Sequence, residues 1–154
     1  MAERGDRIET GGSPKAGASA WVDWLQQPRI MTTLHPVAAR FIHALRLIAV
    51  HHRARRDPTA ELAVRLGSVA VAVKALQLAD TIGGSWPEPV QLRRFCYRGL
   101  SHDEATIGAL VEAAWWNRQD AFEREISGLV RSERIARLWA DCVELVASES
   151  VPRA

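Results

Sequence analysis

The chain has 154 residues, 47% of them apolar and 25% charged, with a formal net charge of +2. That length buries a core without disulfide or metal staples, and the balance of apolar and charged residues excludes a disordered or fibrous chain over most of its span. A net charge this close to zero argues neither for nor against a polyanionic partner. The sign is uneven, however: residues 36–57 hold five Arg against one Asp, and residues 102–131 hold six carboxylates against three Arg. The most apolar stretch, Leu66–Val73, stops at Lys74, far short of the ~20 residues of a transmembrane helix. Residues 1–19 lack the apolar core of a secretory signal. The expectation is a cytoplasmic protein without a membrane partner. Eighteen Arg against two Lys is the usage associated with a GC-rich bacterial genome.

Residues 1–18 read as a polar tail and residues 19–150 as one all-α, bundle-like domain of five or six helices around a central apolar helix. Alternating β-branched runs and Asn-Gly or Asp-Gly turns are missing, whereas helix punctuation recurs. Ser19 caps a short segment, Ala20–Gln27, whose Trp21, Trp24 and Leu25 share a face before Pro28. A first long helix is expected from Leu34 to Arg55, with Thr33 as cap and Pro36 in the first turn, where its missing N–H costs nothing. Val37, Phe41, Leu45 and Ile48 form its stripe. Asp57-Pro58 opens a second long helix to Thr81, apolar nearly all round and therefore central. Ala63, Gly67 and Ala70 give it a small-residue ridge, and Gly83-Gly84 ends it.

After the loop Ser85–Pro89, a short helix is predicted over Val90–Arg98, with Leu92, Phe95 and Cys96 inward and Arg94 and Arg98 stacked outward. Ser101-His102-Asp103-Glu104 is a capping box, S-x-x-E, and starts a helix bearing Ile107, Leu110, Val111, Ala114 and Trp115. A second box at Asp120–Glu123 suggests a break near Asn117. A last helix, Glu133–Ser148, carries Ile135, Leu138, Trp139, Cys142, Val143 and Val146 at helical spacing. Cys96 and Cys142 both fall on apolar faces and read as reduced core thiols.

Two basic groups stand out: Arg53, Arg55 and Arg56 with His51 and His52 at one helix end, and Arg93, Arg94 and Arg98 further on. Arginine on a helix face bonds phosphate oxygens bidentately, but cations at a helix C-terminus also serve the helix dipole. The stretch Arg93–Ala105, RRFCYRGLSHDEA, resembles the start of the second helix of bacterial helix-turn-helix regulators, which carry a Gly-Leu-Ser-x-x-Glu step. It departs from them at Ala105 and Thr106, where a large apolar residue belongs, and at Trp115-Trp116-Asn117, where a recognition helix belongs. Arg46 with His51 or His52 resembles the R-x4-6-H element of the HEPN ribonucleases. On one continuous helix, though, Arg46 and His51 point about 140° apart.

No H-E-x-x-H, nucleophile elbow, phosphate loop or dinucleotide fingerprint is present, so neither a cofactor nor a metal site is expected. Six Trp against three Phe and one Tyr is an inverted ratio, and Trp is the residue of interface hot spots. Trp21, Trp24, Trp86 and Trp116 are the candidates for partner contact, since Trp115 and Trp139 fit the core stripes. The sequence points to a non-enzymatic module that acts through protein contact, with itself as a homo-oligomer or with another protein. The alternative is a small DNA-binding regulator using the six arginines, and a third reading is an enzyme of a type no motif identifies.

Overall fold

The computed structural model of the protein describes residues 29–152. The expected tail and the segment Ala20–Gln27, with Trp21 and Trp24, lie outside the described residues. Among the described residues there are six α-helices, one 3-10 turn at Met31–Thr33 and no strand beyond two isolated bridges. The fold is all-α.

Helix α1 (Pro36–Arg53) has proline in its first turn as expected, but its cap is His35 rather than Thr33. The His35 Nδ1 accepts the Val37 N–H at 3.3 Å, while the His35 N–H donates to Glu112 at 2.6 Å. The tertiary bond to Glu112 outweighs a local threonine cap. The helix ends on Arg55 at φ 54°, with Arg56 N–H returning to His51 O at 2.9 Å and Arg55 N–H to His52 O at 3.1 Å. This is a Schellman ending, carried by arginine in place of the usual glycine.

The helix expected over 57–81 is instead two, α2 (Thr59–Leu66) and α3 (Val69–Ser85), bent by 120°. Gly67 makes the break at φ 69°, and Ser68 then caps α3 by accepting the Val71 N–H at 3.3 Å. A left-handed glycine followed by a serine cap stops one helix and starts another; a small-residue ridge does not. The break explains the all-round apolar pattern. Leu62 and Leu66 face inward while Val64 is 81% exposed, and Val71, Ala72, Ala75, Leu78 and Ile82 face inward while Val69 and Val73 do not. Gly83 and Gly84 lie inside α3, which continues to Ser85.

Residues 86–101 form no helix, so the helix expected over Val90–Arg98 is absent. Cys96 is exposed rather than inward, whereas Cys142 is buried, and its thiol is pushed well above its usual range by burial and by neighbouring Asp141. Helix α4 (His102–Trp115) begins with the expected capping box: Ser101 accepts the Glu104 N–H at 3.0 Å, and Glu104 accepts the Ser101 N–H at 2.9 Å. It ends at Asn117, in the left-handed region at φ 51°. Helix α5 (Gln119–Ile126) follows without a side-chain cap, because Asp120 lies inside it and pairs with Arg124. Helix α6 (Ser132–Glu149) closes the fold.

Nine of the fourteen residues of α4 are buried, and it packs against α1, α5 and α6. Residues 30–35 run along α4, where Leu34 lies on Gly108; a Cβ at that glycine would meet Leu34 Cδ2 at 3.0 Å. On the far side α3 packs against α6, and Phe122 meets Trp139 edge-on at 5.2 Å.

Candidate functional site

Three places concentrate polar or aromatic chemistry. The first is a buried ion pair. Arg46 of α1 is 1% exposed and Glu104 of α4 is fully buried. Arg46 Nε and Nη2 donate to the two Glu104 oxygens at 2.7 and 2.8 Å. Nη1 donates to the Arg94 and Tyr97 carbonyls at 3.2 and 2.6 Å, and Nη2 to the Gly99 carbonyl at 2.8 Å. That uses all five guanidinium hydrogens. The Glu104 oxygens also accept the Arg93 and Ser101 N–H groups, each at 2.9 Å. The pair is saturated, leaving no donor for a substrate or phosphate. Its work is to fold residues 93–101 without a helix, which is why the local helical pattern there loses.

Burial alone raises the Glu104 carboxyl, but the Arg46 guanidinium and the Ser101 and Arg93 amides outweigh it and hold the group below its ordinary 4.5. Nearby His43 is lowered from 6.5 by desolvation and then by Arg46. Both groups resist protonation more in the folded state than in the unfolded one. Stability from Glu104 is therefore complete above pH 4.5 and lost as pH falls through its depressed value, while the cost of keeping His43 neutral grows below pH 6.5. The urea midpoint is expected to fall gently on acidification past the histidine range and steeply past the carboxylate range. A midpoint that rises with acid would contradict this assignment.

The second place is a cleft of about 900 Å³ between α1, α3, the 86–101 loop and α6. Leu45, Ile48, Leu76, Val90 and Leu92 form its apolar lining, and His52, Asp80, Arg134 and Arg137 its polar part. A recess of about 400 Å³ joins it at Gly84 and Arg134 and is walled by Trp86, Pro87, Leu129 and Arg131. None of the six candidate arginines lines the cleft, whose contributions from α1 and the loop are Leu45, Ile48, Ala49, His52, Pro89, Val90 and Leu92. All six candidate arginines, Arg98 included, are exposed. Arg94 and Arg98 are not stacked one turn apart, since no helix forms there, and Arg93 lies over the Tyr97 ring at 5.6 Å. Arg137 pairs with buried Asp141 at 3.2 Å, whereas Arg134 makes no ion pair among the described residues. His51 pairs with Glu61 at 2.8 Å and does not meet Arg46.

The third place is the opposite end of α4. Trp115 lies against the His35 ring at 4.6 Å, and Trp116 meets the same ring edge-on at 5.9 Å yet is 60% exposed. A shallow groove of about 290 Å³ opens beside them, lined by Ala114, Trp115, Val143, Val146 and Ala147. Trp86 departs from expectation: it is only 8% exposed, and its Nε1 donates to Asp103 at 3.3 Å. Its place in the Ser85–Pro89 loop suggested partial exposure, but the Asp103 acceptor lies seventeen residues away and does not show locally.

Arg46 and Glu104 are the residues that sequence reasoning passed over as partners. The signal was present, because Arg46 interrupts an apolar stripe between Leu45 and Leu47, and an arginine there needs a buried carboxylate. Among the described residues no three His, Cys, Asp or Glu side chains gather in a metal-holding group, and no single helix is long and apolar enough to cross a membrane. No family model, curated protein or solved structure matches the chain.

Proposed function

We propose that this domain is a non-enzymatic protein-contact module that pairs with a second copy of itself through the Trp116 end. The observation that carries the reading is a 60% exposed indole beside a shallow groove on the same end of the bundle. A projecting side chain and a recess on one surface suit a two-fold interface, in which each copy fills the other. Tryptophan is enriched at interface hot spots because it buries a large rigid area for little rotamer entropy. The saturated Arg46–Glu104 pair offers nothing to a reacting group, which favours contact over catalysis.

Trp116→Ala is expected to weaken association by about 2 kcal/mol, roughly 30-fold in Kd. Light scattering across a dilution series would show the mass falling at higher concentration than for the native chain, with the far-ultraviolet dichroism unchanged. If Trp116→Ala leaves mass unaltered while Val69→Asp lowers it, the contact lies on the exposed valine face of α3 and this assignment is wrong.

Nucleic-acid binding stays as a second reading because all six candidate arginines are exposed. Replacing Arg93, Arg94 and Arg98 by Ala would then flatten the dependence of affinity on salt, each lost phosphate contact lowering the slope by about one. Equal slopes for native and variant chains would remove this reading.

A further inference from the structure

We infer that the cleft between α1, α3, the 86–101 loop and α6 is a binding site for a small organic acid, a carboxylate carried on an apolar chain. Its volume of about 900 Å³ lies within the ~300–1,000 Å³ of small-molecule sites. Two glycines of α3 point to an occupant. Gly83 and Gly84 both line the cleft, and a Cβ at either would meet nothing within 4 Å. Neither has a positive φ; among the described glycines Gly67 and Gly128 do. Neither is needed for packing, unlike Gly108 under Leu34. Glycine inside a helix is disfavoured against alanine because it gives up more backbone freedom on folding. What the two missing side chains do provide is open space over the last turn of α3.

The charge of the lining fits an anion. Arg134 lines the cleft and, with Arg131, the adjoining recess, and neither makes an ion pair among the described residues. Arg137 is held by Asp141, whose oxygens also accept from Gln77 and Thr81. Asp80 is the one carboxylate in the lining, and it pairs with neither free arginine. Two free guanidinium groups and the His52 imidazole therefore stand against a single acid. A guanidinium binds a carboxylate through two parallel N–H donors. The rest of the lining is apolar. Ile48, Leu76, Val90 and Leu92 are each half-buried, so a hydrocarbon chain laid on them takes apolar surface out of water on both sides. Bare phosphate would leave that surface wet. The site shares no residue with the groove beside Trp116, so it is independent of the self-association proposed above.

The test titrates the full chain with sodium octanoate and follows backbone amide shifts. Amides of Ala79, Gly83, Val90 and Leu92 are expected to move on one saturable curve, while those of Leu62 and Ala147, which line other grooves, stay still. Inorganic phosphate at the same concentration should leave the four cleft amides in place. Gly84→Leu fills the open space with a good helix former, so it should abolish the shifts and keep a thermal midpoint at or above the native one. Arg134→Ala should weaken octanoate about tenfold and leave uncharged 1-octanol unaffected. The absence of a saturable shift, or shifts centred on Leu62 or Ala147, would overturn the inference. So would phosphate acting like octanoate, undiminished binding in Gly84→Leu, or equal losses of octanoate and 1-octanol in Arg134→Ala. Should Gly84→Leu not fold, the Arg134→Ala comparison decides by itself.

Discussion

Glu104→Ala is expected to lower the unfolding free energy by about 3–5 kcal/mol, because it leaves the Arg46 guanidinium buried without its counter-charge. That is a large share of the ~5–15 kcal/mol available to a domain. Urea unfolding followed by dichroism checks it, and an effect under about 1 kcal/mol would show that the ion pair is open to water. Arg46→Met should be similarly costly, for a different reason as well. The Arg94, Tyr97 and Gly99 carbonyls all accept from Arg46, so its loss also frees the 93–101 loop. Hydrogen exchange in that loop should then rise more than in α6.

The double variant Arg46→Met with Glu104→Leu separates the charge effect from the polar one. Replacing a buried pair by apolar residues is often neutral or stabilising when the two groups bond only each other. Here the Tyr97 and Gly99 carbonyls and the Arg93 and Ser101 amides lose their partners together, each costing about 1–3 kcal/mol if it stays dry, while the Arg94 carbonyl keeps the Tyr97 N–H at 2.9 Å. The double variant should therefore remain well below the native chain. Recovery to native stability would mean that water takes over those four backbone groups.

What could be read in the sequence divides along the range of the interactions. The Ser101 box and the inward stripe of α4 are local and appear in the structure where the pattern placed them; the break near Asn117 is also there, on a left-handed Asn117 and not on the expected Asp120 box. The Val90–Arg98 helix failed because its competitor is remote. Arg46 lies more than forty residues away and takes the Tyr97 and Gly99 carbonyls as acceptors, leaving only a single turn closed by the Tyr97 N–H on the Arg94 carbonyl. Cys96 and Arg98 moved with that loop. Trp86 was misplaced for the same reason, its Asp103 acceptor lying on α4. Of the candidate site residues, Trp116 was legible, since adjacent tryptophans on a helix diverge by about 100° and only one fits the stripe. The cleft was not legible, because four separate elements build it.

Gly67 gives the sharpest case, and it sets the second large effect. Read as one unbroken helix, the segment 57–81 makes Val71 and Val73 equally central. The bend at Gly67 puts Val71 at 1% exposure and Val73 at 48%. Val71→Asp then buries a carboxylate on the inward face of α3, and is expected to cost about 4 kcal/mol or more. Position 71 is also the third residue of α3, so a carboxylate there meets the positive end of the helix dipole. That attraction is worth about 0.3–1 kcal/mol near the surface, too little to offset the loss of hydration. The Val71 N–H is already capped by Ser68, so the new carboxylate would compete with that cap. Val73→Asp points to water and should change stability by within about 0.5 kcal/mol. Thermal melts of the two variants side by side measure the contrast: Val71→Asp far below the native midpoint or unfolded, Val73→Asp near it. Equal losses at both positions would mean that α2 and α3 are one straight buried helix after all, and that Gly67 does not turn the chain.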